Sequence, residues 1–242
     1  MRHATGYATG SFTCYVPVMF SGSNLICIRG ERRIFAGLSF SVPAGGALLL
    51  VGRNGAGKSS LLRMMSGLLP PFGGNIAWNG EDIRTDPENH ARRTHYAGHQ
   101  DAIKPMLSTR QNIAFWAAIR TERGDESGAA DQRILEAQQR LDLSELSAVQ
   151  GRLLSAGQKR RTALARLAAS PTKLWLLDEP SAALDHASTR ALTKMIADHR
   201  ATGGIVVAST HTDLDIPDAQ TLDMDAYKIT KGTPSLADAD SW

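Results

Sequence analysis

The sequence predicts an α/β fold with strands toward both ends of the chain and a helical block inserted between them. Three observations carry this. Ala47–Val51 (ALLLV) and Leu174–Leu177 (LWLL) are unbroken apolar runs of strand length, the pattern of strands covered on both faces. Leu25–Arg29 and Leu38–Val42 alternate in polarity, as antiparallel strands do. From about Ser108 to Ala169 the periodicity turns helical.

Taken in order, the two alternating strands lead to Ala47–Val51, which ends at Gly52 and opens into a helix from Lys58 to about Gly67. Pro70-Pro71-Phe72-Gly73-Gly74 is a turn cluster, and Asn75–Trp78 is a short strand ended by the turn pair Asn79-Gly80. Thr94–Ala97 is a further strand. The block holds helices at Gln111–Arg120, Asp131–Leu141 and Gln158–Ala169, with a polar loop at Thr121–Ala130. Lys173–Leu177 and Gly204–Ala208 are strands flanking a helix near Ser188–His199, and a strand pair closes the chain near Thr221–Ile229.

At 242 residues with 42% hydrophobic and 21% charged residues, the chain can bury a full core. The formal net charge of +3 is a mild excess and weak evidence for an anionic partner; a nucleic-acid binder concentrates its charge more, and no nucleic-acid partner is expected. Cys14 and Cys27 have neither metal-ligand nor disulfide-framework spacing, which fits a reducing compartment. No run reaches the roughly 18 apolar residues of a membrane helix. Residues 1–23, rich in Gly, Ser and Thr, are expected to be a disordered leader ahead of one domain over 24–242. They fail as a signal peptide because the apolar patch is short and broken by Pro17. Met19 is an alternative start.

Gly52-Arg53-Asn54-Gly55-Ala56-Gly57-Lys58-Ser59 fits G-x-x-x-x-G-K-[ST], and Ser60 continues it into the helix. The glycines let successive amides point at one phosphate, and the helix adds its positive end. Lys58 can reach the β- and γ-phosphates, while Ser59 can ligate Mg²⁺. Asp178, at the tip of LWLLD, suits the same ion. Glu179 suits an attacking water. Alone, Asp178-Glu179 before Pro180 reads as a solvated acidic pair; beside a phosphate loop it reads as chemistry. His211 ends another apolar strand, where it can hold that water in line. A partly exposed loop is the expectation for the other histidines, among them His90, His95 and His186. Gln100, in Gly98-His99-Gln100, can ligate Mg²⁺ and contact the attacking water.

Together with Leu154-Ser155-Ala156-Gly157-Gln158 and Ser181-Ala182-Ala183-Leu184-Asp185, these motifs stand in the chain order of the nucleotide-binding subunits of ABC transporters, which this sequence resembles. The resemblance implies a RecA-like P-loop NTPase core with an antiparallel β edge and a helical subdomain at about 101–169. It implies ATP and Mg²⁺ as ligands, and a head-to-tail pair. In such a pair Ser155, Ala156, Gly157 and Gln158 meet the ATP held by the other subunit, and Ser181, Ala182, Leu184 and Asp185 form the dimer loop. Ser155 and Gln158 also have capping-box spacing. The basic triplet Lys159-Arg160-Arg161 reads equally as a solvated helix face. Arg29 stands where many relatives place an aromatic residue against adenine; an arginine plane can also stack there.

Gly37-Leu38-Ser39-Phe40, Tyr96-Ala97-Gly98-His99-Gln100, Gln111–Trp116 and LSAGQKRRTALARL together resemble the ATP-binding subunits of cytochrome c maturation systems, the heme exporters. That implies a peripheral protein on the cytoplasmic face of a bacterial inner membrane, working with integral membrane subunits. Ile103–Trp116 is the expected docking surface, with Ile113 and Trp116 read as core. A transporter of different cargo and a soluble ABC-type ATPase remain rival readings. A P-loop kinase would leave LSAGQ without a role.

Overall fold

The computed structural model describes residues 19–120, 127–170, 172–210 and 214–228. The strands divide between two sheets. β3 (Ala47–Val51), β6 (Thr94–Ala97), β7 (Leu174–Asp178), β8 (Ile205–Ser209) and β9 (Gln220–Asp223) form a parallel sheet in the order β6-β7-β8-β3-β9. β1 (Met19–Arg29), β2 (Arg32–Pro43), β4 (Gly73–Trp78) and β5 (Glu81–Asp82) form an antiparallel sheet in the order β2-β1-β4-β5. The helices are α1 (Lys58–Met65), α2 (Pro87–Arg93), α3 (Thr109–Arg120), α4 (Ser127–Arg140), α5 (Ala156–Ala169) and α6 (His186–Ala201).

The unbroken apolar runs follow from burial of the parallel sheet on both faces. Leu48, Leu50, Leu174, Leu176, Ile205 and Val207 pack with α1 and the antiparallel sheet. Their neighbours Ala47, Trp175, Leu177, Val206 and Ala208 pack against α3, α4, α5 and α6. Each large buried side chain contributes about 1.5–3 kcal/mol. This double coverage leaves the carboxyl edge of the sheet as the place where polar groups gather.

Several expectations shift. β1 begins at Met19, inside the segment expected to be a leader. The Gly/Ser-rich stretch hides an alternation: Phe20 and Gly22 are buried, and Phe20 packs on Phe40 and Trp78 at ring distances of 5.4 and 6.0 Å. The rest of that segment lies outside the described residues, as do residues 121–126 of the expected polar loop, into whose end α4 extends.

At the other end, of the expected strand pair the described residues show one strand, β9, and an isolated antiparallel bridge from Lys228 to Phe35. Asp223 then accepts a hydrogen bond from the Asp225 amide at 2.9 Å and turns the chain into a 3₁₀ segment, Met224–Tyr227. Ile229 lies outside the described residues. α2 was not anticipated, although Asp86 caps it through the Asn89 amide (3.0 Å) and Pro87 opens it.

The expectation of partly exposed loop histidines holds for the exposure of His186, which opens α6 instead of lying in a loop, and fails for His90 and His95, both buried. His90 Nε2 lies 2.8 Å from the Met65 carbonyl, beneath Phe20.

His199 stacks on Trp175 with ring centroids 4.0 Å apart and planes 5° from parallel. Gly204 passes so close to the imidazole that no Cβ would fit there. Burial pushes the His199 pKa down to about 4 from its ordinary 6.5. The folded state therefore favours the neutral ring, while the unfolded chain takes up a proton below 6.5. Stability falls as pH drops from 6.5 towards 4, by at most about 3 kcal/mol from this group. Urea titrations across that window should show a steeper loss in the parent than in His199→Phe, which keeps the stack and cannot titrate. Identical pH profiles would contradict the assignment.

Candidate active site

Four neighbouring strands deliver the site to one edge. The phosphate loop follows β3, Ser209 ends β8, Asp178 ends β7, and Gly98–Gln100 follow β6. Gly57 is the N-cap of α1 at φ 104°, and a Cβ there would stand 2.8 Å from Ile34 Cγ2 and Phe35 Cδ1. Both the backbone sign and the approach of β2 demand glycine. With no side-chain cap, the first amides of α1 face the loop as an anion site. Lys58 is buried, and its Nζ donates to the carbonyls of Gly52 (2.6 Å) and Arg53 (3.3 Å), which sets the ammonium inside the loop.

From outside, Asp225 fixes the loop. Its carboxylate accepts from the Arg53 amide at 3.0 Å and from Arg53 Nε at 3.2 Å. The Arg53 amide and guanidinium hold the Asp225 carboxyl below its ordinary pKa. No local motif marks Asp225, which pairs across 172 positions of sequence.

Asp178 is 3% exposed. Its Oδ1 accepts from Ser59 Oγ at 3.1 Å and from Ser209 Oγ at 2.7 Å. Ser209 also receives the Glu179 amide on both its Oγ (3.0 Å) and its carbonyl (3.2 Å). Glu179 adopts φ 49°, the left-handed region that non-glycine residues rarely enter. A cleft of about 480 Å³ holds Asn54, Lys58, Ser59, Ser60, His99 and Glu179 together, with Ile34 as its apolar wall. Ser59 Oγ and Asp178 Oδ1 are adjacent hard oxygen donors, the chemistry that suits Mg²⁺.

Other expected members stand apart from this cleft. Gln100 is exposed and lines an adjoining cleft with Asp101, Ile103 and Lys159. Its neighbour His99 lines both clefts, with Nδ1 4.0 Å from Glu179 Oε2. Arg160 holds the segment on either side of the pair, donating to the Gly98 carbonyl and to the Asp101 carboxylate. Arg29 is exposed at the end of β1, at the tip of the β1–β2 hairpin, and does not line the phosphate cleft. His211 lies outside the described residues.

Ser155 caps α5. Its Oγ accepts from the Gln158 amide (3.3 Å), and Gln158 Oε1 accepts from the Ser155 amide (2.8 Å), a complete capping box. Ala156 takes the first helical position, where its methyl is no obstacle, and the amides of Ala156 and Gly157 have no intrahelical partners. Gly157 lies against the Ala183 carbonyl, which a Cβ would approach to 3.0 Å. In that loop Leu184 is half-buried and Ala182 exposed. The Ala182 amide donates to the Glu179 carbonyl (3.1 Å), and the Leu184 amide to that of Ser181 (3.1 Å). Asp185 caps α6 by accepting from the Ser188 amide at 2.7 Å, and that bond lowers its pKa.

The basic triplet is not a solvated face. Arg160 is buried and Arg161 binds the carbonyls of Leu141 and Asp142, leaving Lys159 half-exposed. Buried Asn112, also missed from sequence, holds the segment before α3. Its Oδ1 accepts from the Lys104 amide and its Nδ2 donates to the carbonyls of Lys104, Leu107 and Ser108.

A phosphate loop beside a buried aspartate at the carboxyl edge of a parallel sheet defines a P-loop nucleotide-binding domain, here with a helical block between β6 and β7. The sequence model of the ABC transporter family matches residues 35–182. Two relatives described as "Cytochrome c biogenesis ATP-binding export protein CcmA" are similar over most of the chain. The one from Paramagnetospirillum magneticum is 53% identical, covering 89% of this chain and 98% of the relative. The one from Rhodospirillum rubrum is 52% identical, covering 87% and 88%. A solved ATP-binding subunit of an ABC transporter superposes with a TM-score of 0.72 at 23% identity, over 80% of this chain and 79% of that one. The chain belongs to the ABC transporter family: it is an ATP-binding domain with ATPase activity.

Gly57→Ala should abolish ATP binding in a fluorescent-nucleotide titration while circular dichroism still reports a folded domain. Binding within about threefold of the parent would mean that the φ and the approach of β2 do not govern the loop.

Proposed function

We propose that this chain is the ATP-hydrolysing subunit of an export complex for c-type cytochrome biogenesis, acting as a head-to-tail pair on a membrane partner. The observation that carries the pair is the presence of two anion-receptive helix starts, at Lys58 and at Ala156. The cleft that holds Lys58 and Glu179 is lined by none of residues 155–158. The second start has capped, oriented amides and no role in its own chain's phosphate cleft, which supports a role at the partner's ATP.

In this reading Gly52, Arg53, Asn54, Gly55, Ala56, Gly57, Lys58, Ser59 and Ser60 hold the phosphates, and Arg29 stacks on the base. Ser59, Asp178 and Gln100 would supply oxygens to Mg²⁺. When bound, that ion neutralises phosphate charge. Glu179 polarises the attacking water and His211 holds it in line. Ser181, Ala182, Leu184 and Asp185 lie between the two sites. One domain, 24–242 extended back to Met19, carries all of this, with its helical subdomain at about 101–169.

The membrane partner has a candidate surface. Among the described residues no helix is long and apolar enough to cross a bilayer; in this reading the transport path belongs to another subunit. Met106 is 66% exposed and Leu153 68%. Backbone hydrogen bonds from Gly151 and Arg152 to Leu107 and Pro105 bring their segments together. Phe115 is 37% exposed, under Lys104, whereas Ile113 is fully buried. In this reading the protein is peripheral on the cytoplasmic face of a bacterial inner membrane, as the sequence resemblance implies. The sequence resemblance makes heme, or its handling, the work done.

Glu179→Gln should bind ATP as the parent does, hydrolyse it at least about a hundredfold more slowly, and elute as a dimer in ATP. Full hydrolysis would remove the water-polarising role. Affinity purification from native membranes should recover a multi-span subunit together with c-type cytochrome assembly factors. Recovery of a different exporter would replace the cargo, and recovery without membrane protein would favour a soluble ATPase.

A further inference from the structure

Arg160 lies in the first turns of α5, five residues after Ser155, and is 4% exposed. Its guanidinium uses every face of its donor fork. Nη2 donates to the carbonyls of Asp178 (2.9 Å) and Glu179 (2.7 Å), and Nε to that of Pro180 (3.2 Å). Nη1 donates to the Gly98 carbonyl (3.1 Å) and to Asp101 Oδ1 (3.0 Å). One side chain thus gathers the acidic pair at the end of β7, the segment after β6 and the helix capped by Ser155.

Glu179 is the residue most in need of such a grip. Its φ of 49° is unfavourable for a non-glycine residue and persists only where the surroundings impose it. Ser209 holds its amide and Arg160 holds its carbonyl, so both peptide groups flanking its Cα are fixed. Lysine has the charge but not the planar fork needed to reach three consecutive carbonyls.

We propose that Arg160 is a positioning residue that sets Glu179 for hydrolysis and makes its own chain's Ser155 turn and Glu179 move as one body. The coupling half rests on the head-to-tail pair proposed above. There the Ser155 turn touches the partner's ATP while Glu179 serves the chain's own. Arg160 then joins the two sites: arrival of ATP in one is transmitted through the first turns of α5 to the glutamate of the other.

The test compares the full-length parent, Arg160→Lys and Asp101→Asn by steady-state ATPase kinetics, fluorescent-nucleotide titration and thermal unfolding. Arg160→Lys should lower kcat about tenfold or more, with nucleotide Kd within about twofold and melting little changed. Its Hill coefficient for ATP should fall towards one. Asp101→Asn leaves the four carbonyl bonds in place and should lower kcat by about threefold. A kcat for Arg160→Lys within about twofold of the parent overturns the proposal. So does a parallel loss of kcat, nucleotide binding and thermal stability, which would make Arg160 a fold clamp only. Should Arg160→Lys fail to fold, an unchanged kcat in Asp101→Asn overturns it and the expected loss sustains it. Failure of Glu179→Gln to dimerise in ATP would remove the pair, and with it the coupling, while the kcat effect would still report on positioning.

Discussion

A single carboxylate oxygen organises the site. Asp178 is almost fully buried, and its Oδ1 accepts from two hydroxyls, one at the start of α1 and one at the end of β8. A buried carboxylate without partners would be strongly destabilising, so these bonds are obligatory and not decorative. They bind the phosphate loop, β7 and β8 into one rigid edge, and they leave an oxygen pair, Ser59 and Asp178, spaced for a hard cation. The cleft, the amide of Glu179 and the direction of α1 all depend on this arrangement.

The helical block is attached to that edge through backbone carbonyls. Arg160 reaches from α5 to the peptide groups of Asp178, Glu179 and Pro180, and Gly157 lies against the Ala183 carbonyl. The capped turn at Ser155 and the acidic pair are therefore neighbours in one chain, although the turn does not open into that chain's phosphate cleft. This geometry suits a protein whose two halves each contribute one face to a shared nucleotide. The exposed start of α5 faces outward, while buried Arg160 in its following turn holds the carbonyl of the chain's own Glu179.

Features whose chemistry is local were legible in the sequence. Ser155 and Gln158 satisfy each other across three positions, Gly57 and Lys58 belong to one short loop, and LWLLD is apolar because both faces of its strand are covered. Features made by distant pairing were not. Asp225 serves the phosphate loop from the far end of the chain, and nothing near it reveals this. Arg160 carries the same charge pattern whether it faces water or four carbonyls. Met19–Ser23 read as a leader because small residues conceal the period-two burial of Phe20 and Gly22. His90 and His95 read as loop residues because their burial depends on the packing of α2 and β6 against the rest of the fold.

The central claim is that each ATP is completed by the Ser155 turn of the other chain. Mixing two inactive variants, Lys58→Ala and Ser155→Arg, tests it directly. In a head-to-tail pair, the intact phosphate loop of the Ser155→Arg chain faces the intact turn of the Lys58→Ala chain. With random pairing, ATPase activity should rise above the sum of the two variants, to at most about one quarter of the parent rate, the value for uncoupled sites. Activity that stays at the sum of the two separate variants would show that the turn does not act across an interface.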